Sequence, residues 1–221
     1  MSRLVLIHGA ATTSRVWRRV VPLLGGFDVR CPDRPCSGDL ATEVEALAGD
    51  CHGAVVAGVS GGATIGLALA AAGVPMAAAI LHEPAVGSLL PGLLAPFRAA
   101  YQSGGTVAFA TALYGANWAP GEAPPDDGAV ARDLAMFGVF EPTDPSPAAG
   151  PVIITVGECS PPARHESARR LSARFGVPVW QLPGARHAVH LENPEAFAAA
   201  IRKAAASADA AVPPGSPLLR A

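Results

Sequence analysis

Hydrophobic positions along the chain follow two alternating patterns. Short, unbroken apolar runs are typical of strands that are buried on both faces of a parallel sheet. Longer stretches with apolar residues at helical spacing follow most of these runs. This alternation predicts a parallel sheet with helices on both faces. The predicted strands are residues 4–7, 27–31, 54–59, 77–81, 151–156 and 177–182.

The alternation breaks between the fourth and fifth predicted strands. Residues 87–150 contain no convincing buried strand and several proline or glycine interruptions, so we expect an insertion. Three segments in it have helical patterns, at 88–101, 106–114 and 127–137. We expect a small helical lid over a site. Its large apolar side chains available to line a pocket are Leu89, Leu90, Leu93, Leu94, Phe97, Phe109, Tyr114 and Trp118.

Length and composition narrow the class of protein. The chain has 221 residues and 50% hydrophobic content, which fits one domain over residues 1–206 and a small, polar, proline-rich tail at 207–221. A net charge of -2 with 15% charged residues argues against a nucleic-acid partner. The 4 cysteines lack metal-ligand spacing, so neither zinc nor a disulfide framework is indicated. The first apolar run is too short for a signal sequence or a membrane span, so we expect a cytoplasmic protein without membrane partners.

A polar turn at Ser60 separates two apolar elements of different period. The strand at 54–59 runs into Gly-Val-Ser-Gly-Gly at 58–62, and a helical pattern follows at 63–72. A strand that turns directly into a helix around Gly-x-Ser-x-Gly is typical of a nucleophile elbow, because glycines are needed where a Cβ would collide with backbone. The serine hydroxyl then stands above the carboxyl end of the strand. The next backbone N–H, that of Gly61, points toward a developing oxyanion.

A nucleophilic serine needs a base within hydrogen-bond reach, since a free hydroxyl is protonated at neutral pH. The chain has 6 histidines. His187 is the strongest candidate, because its loop follows the last strand and lies at the same sheet edge as Ser60. His190 fits a packing or supporting role better. His8 and His82 close two strands and could reach the pocket.

Five short motifs occur in order along the chain: His-Gly at 8–9, Asp-Arg-Pro at 33–35, the elbow, Gly-Glu at 157–158, and Gly-Ala-Arg-His at 184–187 followed by Glu-Asn-Pro-Glu at 192–195. Together they resemble the α/β-hydrolase superfamily over about residues 3–87 and 150–205. The resemblance implies a three-layer sandwich with a mostly parallel sheet of about six strands, since the family's usual first two strands are absent. It also implies that the insertion is the lid.

The resemblance assigns chemical roles to several residues. Ser60 would be the nucleophile, and His187 the general base and then the acid. The oxyanion hole would be the backbone N–H groups of Gly61 and Ala10. No metal or organic cofactor is required, and the partner is a small-molecule substrate. The residues that we expect in the substrate pocket are His8, Ala11, His82, Leu94 and Trp118.

The acid that orients His187 is left open by the sequence. Family members commonly carry aspartate at the position of Ser160, and serine cannot supply the negative charge. Glu83 is the favoured alternative, because it ends the adjacent strand, where some family members place the acid. Glu158 is a second alternative. In the third, no acid is present, and Ser160 or a water molecule orients the ring.

We therefore expect a serine hydrolase of a small or medium, largely apolar ester, thioester or lactone, acting through an acyl-enzyme on Ser60. One alternative uses the same fold for lyase, cyclase or cofactor-free perhydrolase chemistry. Another is a catalytically silent binding protein, which Ser160 and the missing strands would explain. The missing strands also leave a barer sheet edge, which favours covering by a partner. A homodimer is the candidate for that partner.

Overall fold

Parallel strands form one sheet in the computed structural model, which describes residues 1–211. Their order across the sheet is β2-β1-β3-β4-β5-β6. All neighbouring pairs are parallel, which confirms the predicted sheet of about six strands. The strands are β1 (Ser2–Ile7), β2 (Phe27–Arg30), β3 (Val55–Val59), β4 (Ala78–His82), β5 (Val152–Gly157) and β6 (Val179–Leu182).

Three central strands are buried along their whole length because both faces of the sheet are covered. Every residue of β3, β4 and β5 is buried. By contrast, β2 and β6 lie at the two edges and keep exposed or half-buried positions. In the register of β3 and β4, Val59 pairs with His82. The residues that follow these two, Ser60 and Glu83, therefore come to neighbouring places at the carboxyl edge of the sheet.

Helices of the main domain cover the sheet. The first of them, α1, is capped by Asp39, whose side chain accepts a hydrogen bond from the Thr42 N–H at 2.8 Å. The last one continues to Ala211, beyond the predicted end at residue 206, and residues 212–221 of the predicted tail lie outside the described residues. Within the described residues, none of the helices is both long and apolar enough to cross a membrane. The main-domain helices are α1 (Leu40–Cys51), α2 (Gly61–Ala71), α5 (Pro162–Phe175), α6 (Val189–Glu192) and α7 (Pro194–Ala211).

Trp17, Val20, Val21 and Leu24 lie at helical spacing and predict a helix that starts near Thr13 or Ser14, but this prediction is wrong as an α-helix. Two short 3₁₀ helices occupy this segment instead, Ser14–Arg19 and Val21–Leu23. Pro22 explains the change, because it has no N–H to donate and its ring disfavours a continuous α-helix.

The insertion contains two α-helices, α3 (Ala95–Tyr114) and α4 (Ala129–Gly138). The first two predicted segments join in α3, but α3 begins later than residue 88. It is interrupted at Gly104 and Gly105, and Gly105 has a φ of 61° that is not helical. The helical character of the insertion was thus predicted from sequence, and its boundaries were not.

A buried ion cluster ties the lid to the main domain. Arg34, in the loop after β2, lies 2.7 Å from Asp133 on α4 and 3.0 Å from Glu43 on α1. The side chains of all three are at most 1% exposed. Such a cluster is costly to break, because removal of one partner leaves a buried charge without compensation. The Asp-Arg-Pro motif at 33–35 therefore anchors helix α4 over the sheet edge.

Candidate active site

Ser60 occupies a strained turn between β3 and α2. Its φ of 58° and ψ of -119° lie outside the regions that residues with a Cβ favour. The Ser60 N–H donates to the main-chain oxygen of His82 at 2.9 Å, which fixes the turn to the neighbouring strand. A Cβ on Gly58 would lie 2.5 Å from backbone, and one on Gly62 would lie 2.0 Å from the Ile7 oxygen. The glycines of the motif are therefore required by close backbone approach.

Two backbone amides lie beside Ser60. A Cβ built on Gly61 would be 3.2 Å from the nitrogen of Ala10, so the two proposed oxyanion donors are neighbours. Within residues 1–211, neither N–H donates a hydrogen bond to a protein acceptor. The same Cβ would be 2.6 Å from the ring of Phe137, which belongs to the lid. This ring therefore covers the space next to the two amides.

His187 is hydrogen-bonded to a buried carboxylate. Its Nδ1 lies 2.8 Å from Oε2 of Glu83, and the two residues are 7% and 2% exposed. Glu83 follows β4 with a φ of 51°, a left-handed conformation that a non-glycine residue rarely adopts. Its Oε1 accepts from the N–H of Gly157 at 3.0 Å and from the hydroxyl of Ser160. Of the three sequence alternatives, the structure thus brings Glu83 to the imidazole.

The other two alternatives lie elsewhere. Glu158 is exposed, and its Oε2 accepts from the N–H of Gly184 at 2.8 Å. Ser160 does not cap α5, which begins at Pro162 with Pro161 at the N-cap position. Its hydroxyl is used by Glu83 instead. Ser160 therefore orients the carboxylate and not the ring.

Sequence analysis gave no role to Arg164, which the structure places in the site. The residue lies in the first turn of α5 and is 5% exposed. Its Nε lies 3.5 Å from Oε2 of Glu83, and its Nη1 donates to the Glu83 main-chain oxygen at 3.4 Å. The signal that could have found it is its position in the first turn of a helix that follows a central strand, at the edge where the site lies.

The other ring nitrogen of His187 is available as an acceptor. Its Nε2 is buried and has no hydrogen-bond partner among the described residues, so the structure shows no hydrogen bond from Ser60. Tyr114 of the lid lies beside His187 and Ser60. Its ring stacks on the His187 imidazole, with centroids 5.9 Å apart. A Cβ on Gly9 would be 2.5 Å from the Tyr114 hydroxyl and 3.1 Å from Ser60 Cβ, so the hydroxyl and Ser60 both lie close to Gly9. The hydroxyl itself donates to the Ala10 oxygen at 2.8 Å.

Electrostatics keep the imidazole neutral and the carboxylate charged at neutral pH. Burial and, next, the charge of Arg164 lower the pKa of His187, the contact with Glu83 raises it, and the net result is a pKa of about 4. For Glu83, burial raises the pKa, but His82, His187 and Arg164 outweigh this and hold the pKa below its usual range. A neutral ring bonded to a carboxylate at Nδ1 carries its proton there. Nε2 is then free to accept a proton.

His8 and His82 do not line the pocket, so these two pocket predictions are wrong. Nε2 of His8 accepts from the Arg34 N–H at 3.0 Å, and burial together with the Arg34 charge lowers the pKa of His8 to about 3. His82 is fully buried and lies 3.0 Å from both the Thr155 hydroxyl and the Arg186 main-chain oxygen. Both rings therefore hold loops in place at the sheet edge.

A small cavity of about 30 Å³ opens beside Ser60. Leu94 lines it as predicted, but Ala11 and Trp118 do not, because the Trp118 indole N–H donates to the Ala11 oxygen at 2.9 Å. Phe97 and Phe109 were also among the lid candidates, whereas Leu113, Leu134 and Phe137 were missed, since the helix break and the packing of α4 decide which side chains face inward. The apolar lid residues that line the cavity are Leu94, Phe97, Phe109, Leu113, Leu134 and Phe137.

The parallel sheet, the strained strand-to-helix turn at Ser60 and the helical lid define an α/β-hydrolase fold. The sequence profile of the alpha/beta hydrolase family matches residues 4–200, and the chain belongs to this family. No curated protein sequence matches the chain.

Solved structures of several hydrolases are similar to this chain. A thermophilic esterase from Thermogutta terrifontis has 18% identity and a TM-score of 0.74, with 94% of this chain and 90% of that chain covered. The enol-lactonase from Burkholderia xenovorans LB400 has 19% identity and a TM-score of 0.73, covering 92% and 90%. A pyrethroid hydrolase from Sphingobium faniae JZ-2 has 19% identity and a TM-score of 0.68, covering 93% and 98%. At these identities the likeness is one of fold.

Proposed function

We propose that the chain is a serine hydrolase that cleaves a small or medium, largely apolar ester, thioester or lactone. One observation carries this proposal: the buried 2.8 Å contact between Glu83 and His187 at the edge where Ser60 lines a cavity. A hydroxyl on a strained turn, an imidazole with an acceptor nitrogen and a carboxylate behind it are the groups that nucleophilic catalysis requires.

In the proposed reaction, the Ser60 hydroxyl attacks the substrate carbonyl while its proton passes to Nε2 of His187. Glu83 accepts the Nδ1–H and stabilises the imidazolium. The N–H groups of Ala10 and Gly61 would stabilise the oxyanion. Collapse of this intermediate breaks the bond to the leaving group, which takes the proton from Nε2.

Water then attacks the acyl-enzyme as His187 removes its proton, and the acid leaves with Ser60 restored. Hydrogen bonds in ligand-free sites often tighten only when substrate binds. We accordingly expect the contact between Ser60 and His187 to form in the complex.

The lining of the cavity supports the substrate class. Most lid residues there are aliphatic or aromatic, which favours an apolar body around the scissile bond. The similar structures include an esterase, an enol-lactonase and a pyrethroid hydrolase. Ester and lactone carbonyls are therefore the first substrates to test.

Labelling with a fluorophosphonate, followed by mapping of the adduct by mass spectrometry, tests the proposal. We expect the wild-type chain to carry the label on Ser60, Ser60→Ala to remain unlabelled, and His187→Ala to label at least about 100-fold more slowly. Ser103→Ala is the matched control, since this exposed lid serine lies in α3. A label on another residue, or normal labelling of Ser60→Ala, would overturn the proposal.

A further inference from the structure

Arg34 and Arg164 are both buried, but their guanidinium groups are used differently. Arg34 donates to two main-chain oxygens and to the carboxylates of Glu43 and Asp133, at distances from 2.7 to 3.2 Å. Its hydrogen-bonding capacity is satisfied by the protein. Arg34 therefore shows what a purely structural buried arginine looks like in this fold.

Arg164 has far fewer partners among the described residues. It makes one hydrogen bond, of 3.4 Å, to the main-chain oxygen of Glu83, and its Nε lies 3.5 Å from the Glu83 carboxylate. That carboxylate already accepts from His187, Gly157 and Ser160. A guanidinium has five N–H donors, and most of those of Arg164 make no hydrogen bond to the described residues. None of its nitrogens is at once fully buried and without a partner there, so these donors are accessible. The side chain is thus placed to accept a further anionic partner.

The position of Arg164 identifies where such a partner would bind. Arg164 lines the same cavity as Ser60, and of the described residues that line the cavity it is the only basic one. Its Cζ lies 5.4 Å from the centroid of the Phe97 ring, so an aromatic side chain supports the guanidinium. A planar guanidinium recognises a carboxylate through paired N–H donors. The lid residues of the lining offer only apolar contacts to the rest of a ligand.

We propose that Arg164 binds a carboxylate of the substrate, so that the preferred substrates are esters or lactones whose acyl part ends in a carboxylate. The ester chemistry rests on the proposed function, whereas the carboxylate binding does not. A bound carboxylate also offsets the positive charge of Arg164 when His187 becomes an imidazolium. The same anion would therefore favour the step in which Ser60 loses its proton.

Pairs of aryl esters that differ only at the end of the acyl chain test this inference. The pairs are mono-p-nitrophenyl succinate with p-nitrophenyl butyrate, the glutarate with the valerate, and the adipate with the hexanoate. We expect at least one carboxylate ester to be preferred by the wild-type chain. In Arg164→Met, the ratio of kcat/KM for that ester to kcat/KM for its neutral partner should fall by about 10- to 100-fold, as for a lost hydrogen bond to a charged group.

Control variants separate carboxylate binding from support of Glu83. An arginine that only supports Glu83 would change both members of each pair equally, and an unchanged ratio in all three pairs would overturn the inference. Arg164→Lys keeps the charge and should retain part of the ratio. Arg169→Met removes an exposed arginine from the same helix and should leave the ratio unchanged. Thermal unfolding of each variant checks that it is folded.

Calorimetric binding to Ser60→Ala gives a readout that does not depend on turnover. We expect the monomethyl ester of succinate, glutarate or adipate, which carries one free carboxylate, to bind this variant more tightly than the neutral dimethyl ester of the same acid, and the difference to be lost in Ser60→Ala/Arg164→Met. If the esters are not hydrolysed but this difference is present, the proposed function fails and the anion site stands. No difference between the monomethyl and dimethyl esters overturns the anion site.

Discussion

Replacement of Glu83 by glutamine removes a charge and leaves the shape of the side chain almost unchanged. One carboxylate oxygen of Glu83 accepts from the Gly157 N–H and the Ser160 hydroxyl, and the other lies 2.8 Å from Nδ1 of His187. The amide oxygen of the new side chain would stay with the two donors, so its NH₂ group would face the ring. The ring must then accept at Nδ1 and carry its proton on Nε2. In that tautomer His187 cannot take the proton of Ser60.

The expected magnitude follows from this geometry. Glu83→Gln removes both the correct tautomer and the charge that stabilises the imidazolium. Loss of a triad carboxylate in this way lowers kcat by up to about 10⁴-fold, and we expect a fall of about 10² to 10⁴-fold here. In free energy this is about 3 to 5 kcal/mol of transition-state stabilisation. A loss of that size agrees with the burial of Glu83, which is 2% exposed.

The assay is kcat for an activated p-nitrophenyl ester near neutral pH, with Glu158→Gln as the matched control. Glu158 is exposed, and its contact with the Gly184 N–H is retained by the glutamine oxygen, so we expect activity within about twofold of wild type. Thermal unfolding should show that Glu83→Gln is folded. Activity above about one third of wild type in Glu83→Gln, or an equal loss in Glu158→Gln, would refute the assignment of Glu83.

Three further predictions follow from the described contacts. Since burial lowers the pKa of His187 to about 4, kcat/KM should rise with pH through about 4 as the ring loses its proton, and a limb near the ordinary value of about 6.5 would contradict this. Gly62→Ala places a Cβ 2.0 Å from the main-chain oxygen of Ile7 in β1 and should lower the free energy of unfolding in urea by about 3 kcal/mol or more. Gly25→Ala is the control, since a Cβ there meets no atom within 4 Å, and it should be nearly neutral. Asp133→Asn leaves the buried charge of Arg34 partly uncompensated and should lower the free energy of unfolding in urea by about 3 kcal/mol. The exposed Asp127→Asn is the control and should change it little. Equal stabilities of the two variants would exclude the ion cluster as the anchor of the lid.

The sheet and the turn at Ser60 could be predicted because their signals are local. An unbroken apolar run predicts a buried strand wherever it occurs, and Gly58 and Gly62 mark a turn in which any side chain would meet backbone. The role of Glu83 could not be predicted from a local signal alone. It depended on the expected order of the strands. Glu158 remained an alternative because strand register and side-chain direction are set by tertiary packing.

The lid could be predicted as helical, but its lining of the cavity only in part, since Leu94, Phe97 and Phe109 were among the candidates and other lining residues were not. Which side chains face Ser60 depends on the break at Gly105 and on the ion pair that seats α4 through Asp133, and both are long-range features. Arg164 was missed for the same reason. An arginine in an amphipathic helix usually extends into solvent, and only the packing of Phe97 against it shows that this one is enclosed.

Ser160 and Glu83 are best understood as one coupled arrangement. Aspartate at the position of Ser160 would bring a second carboxylate to Glu83, and two such charges in a buried site repel each other and raise a pKa. With serine there, the position supplies a hydroxyl donor to the Glu83 carboxylate instead. The left-handed backbone of Glu83 is held by its N–H, which donates to the Thr155 oxygen at 3.0 Å. A carboxylate at the end of β4, in place of one after β5, therefore depends on three features together. These are the Ser160 hydroxyl, the left-handed turn at Glu83 and the Gly157 N–H, and all three are present.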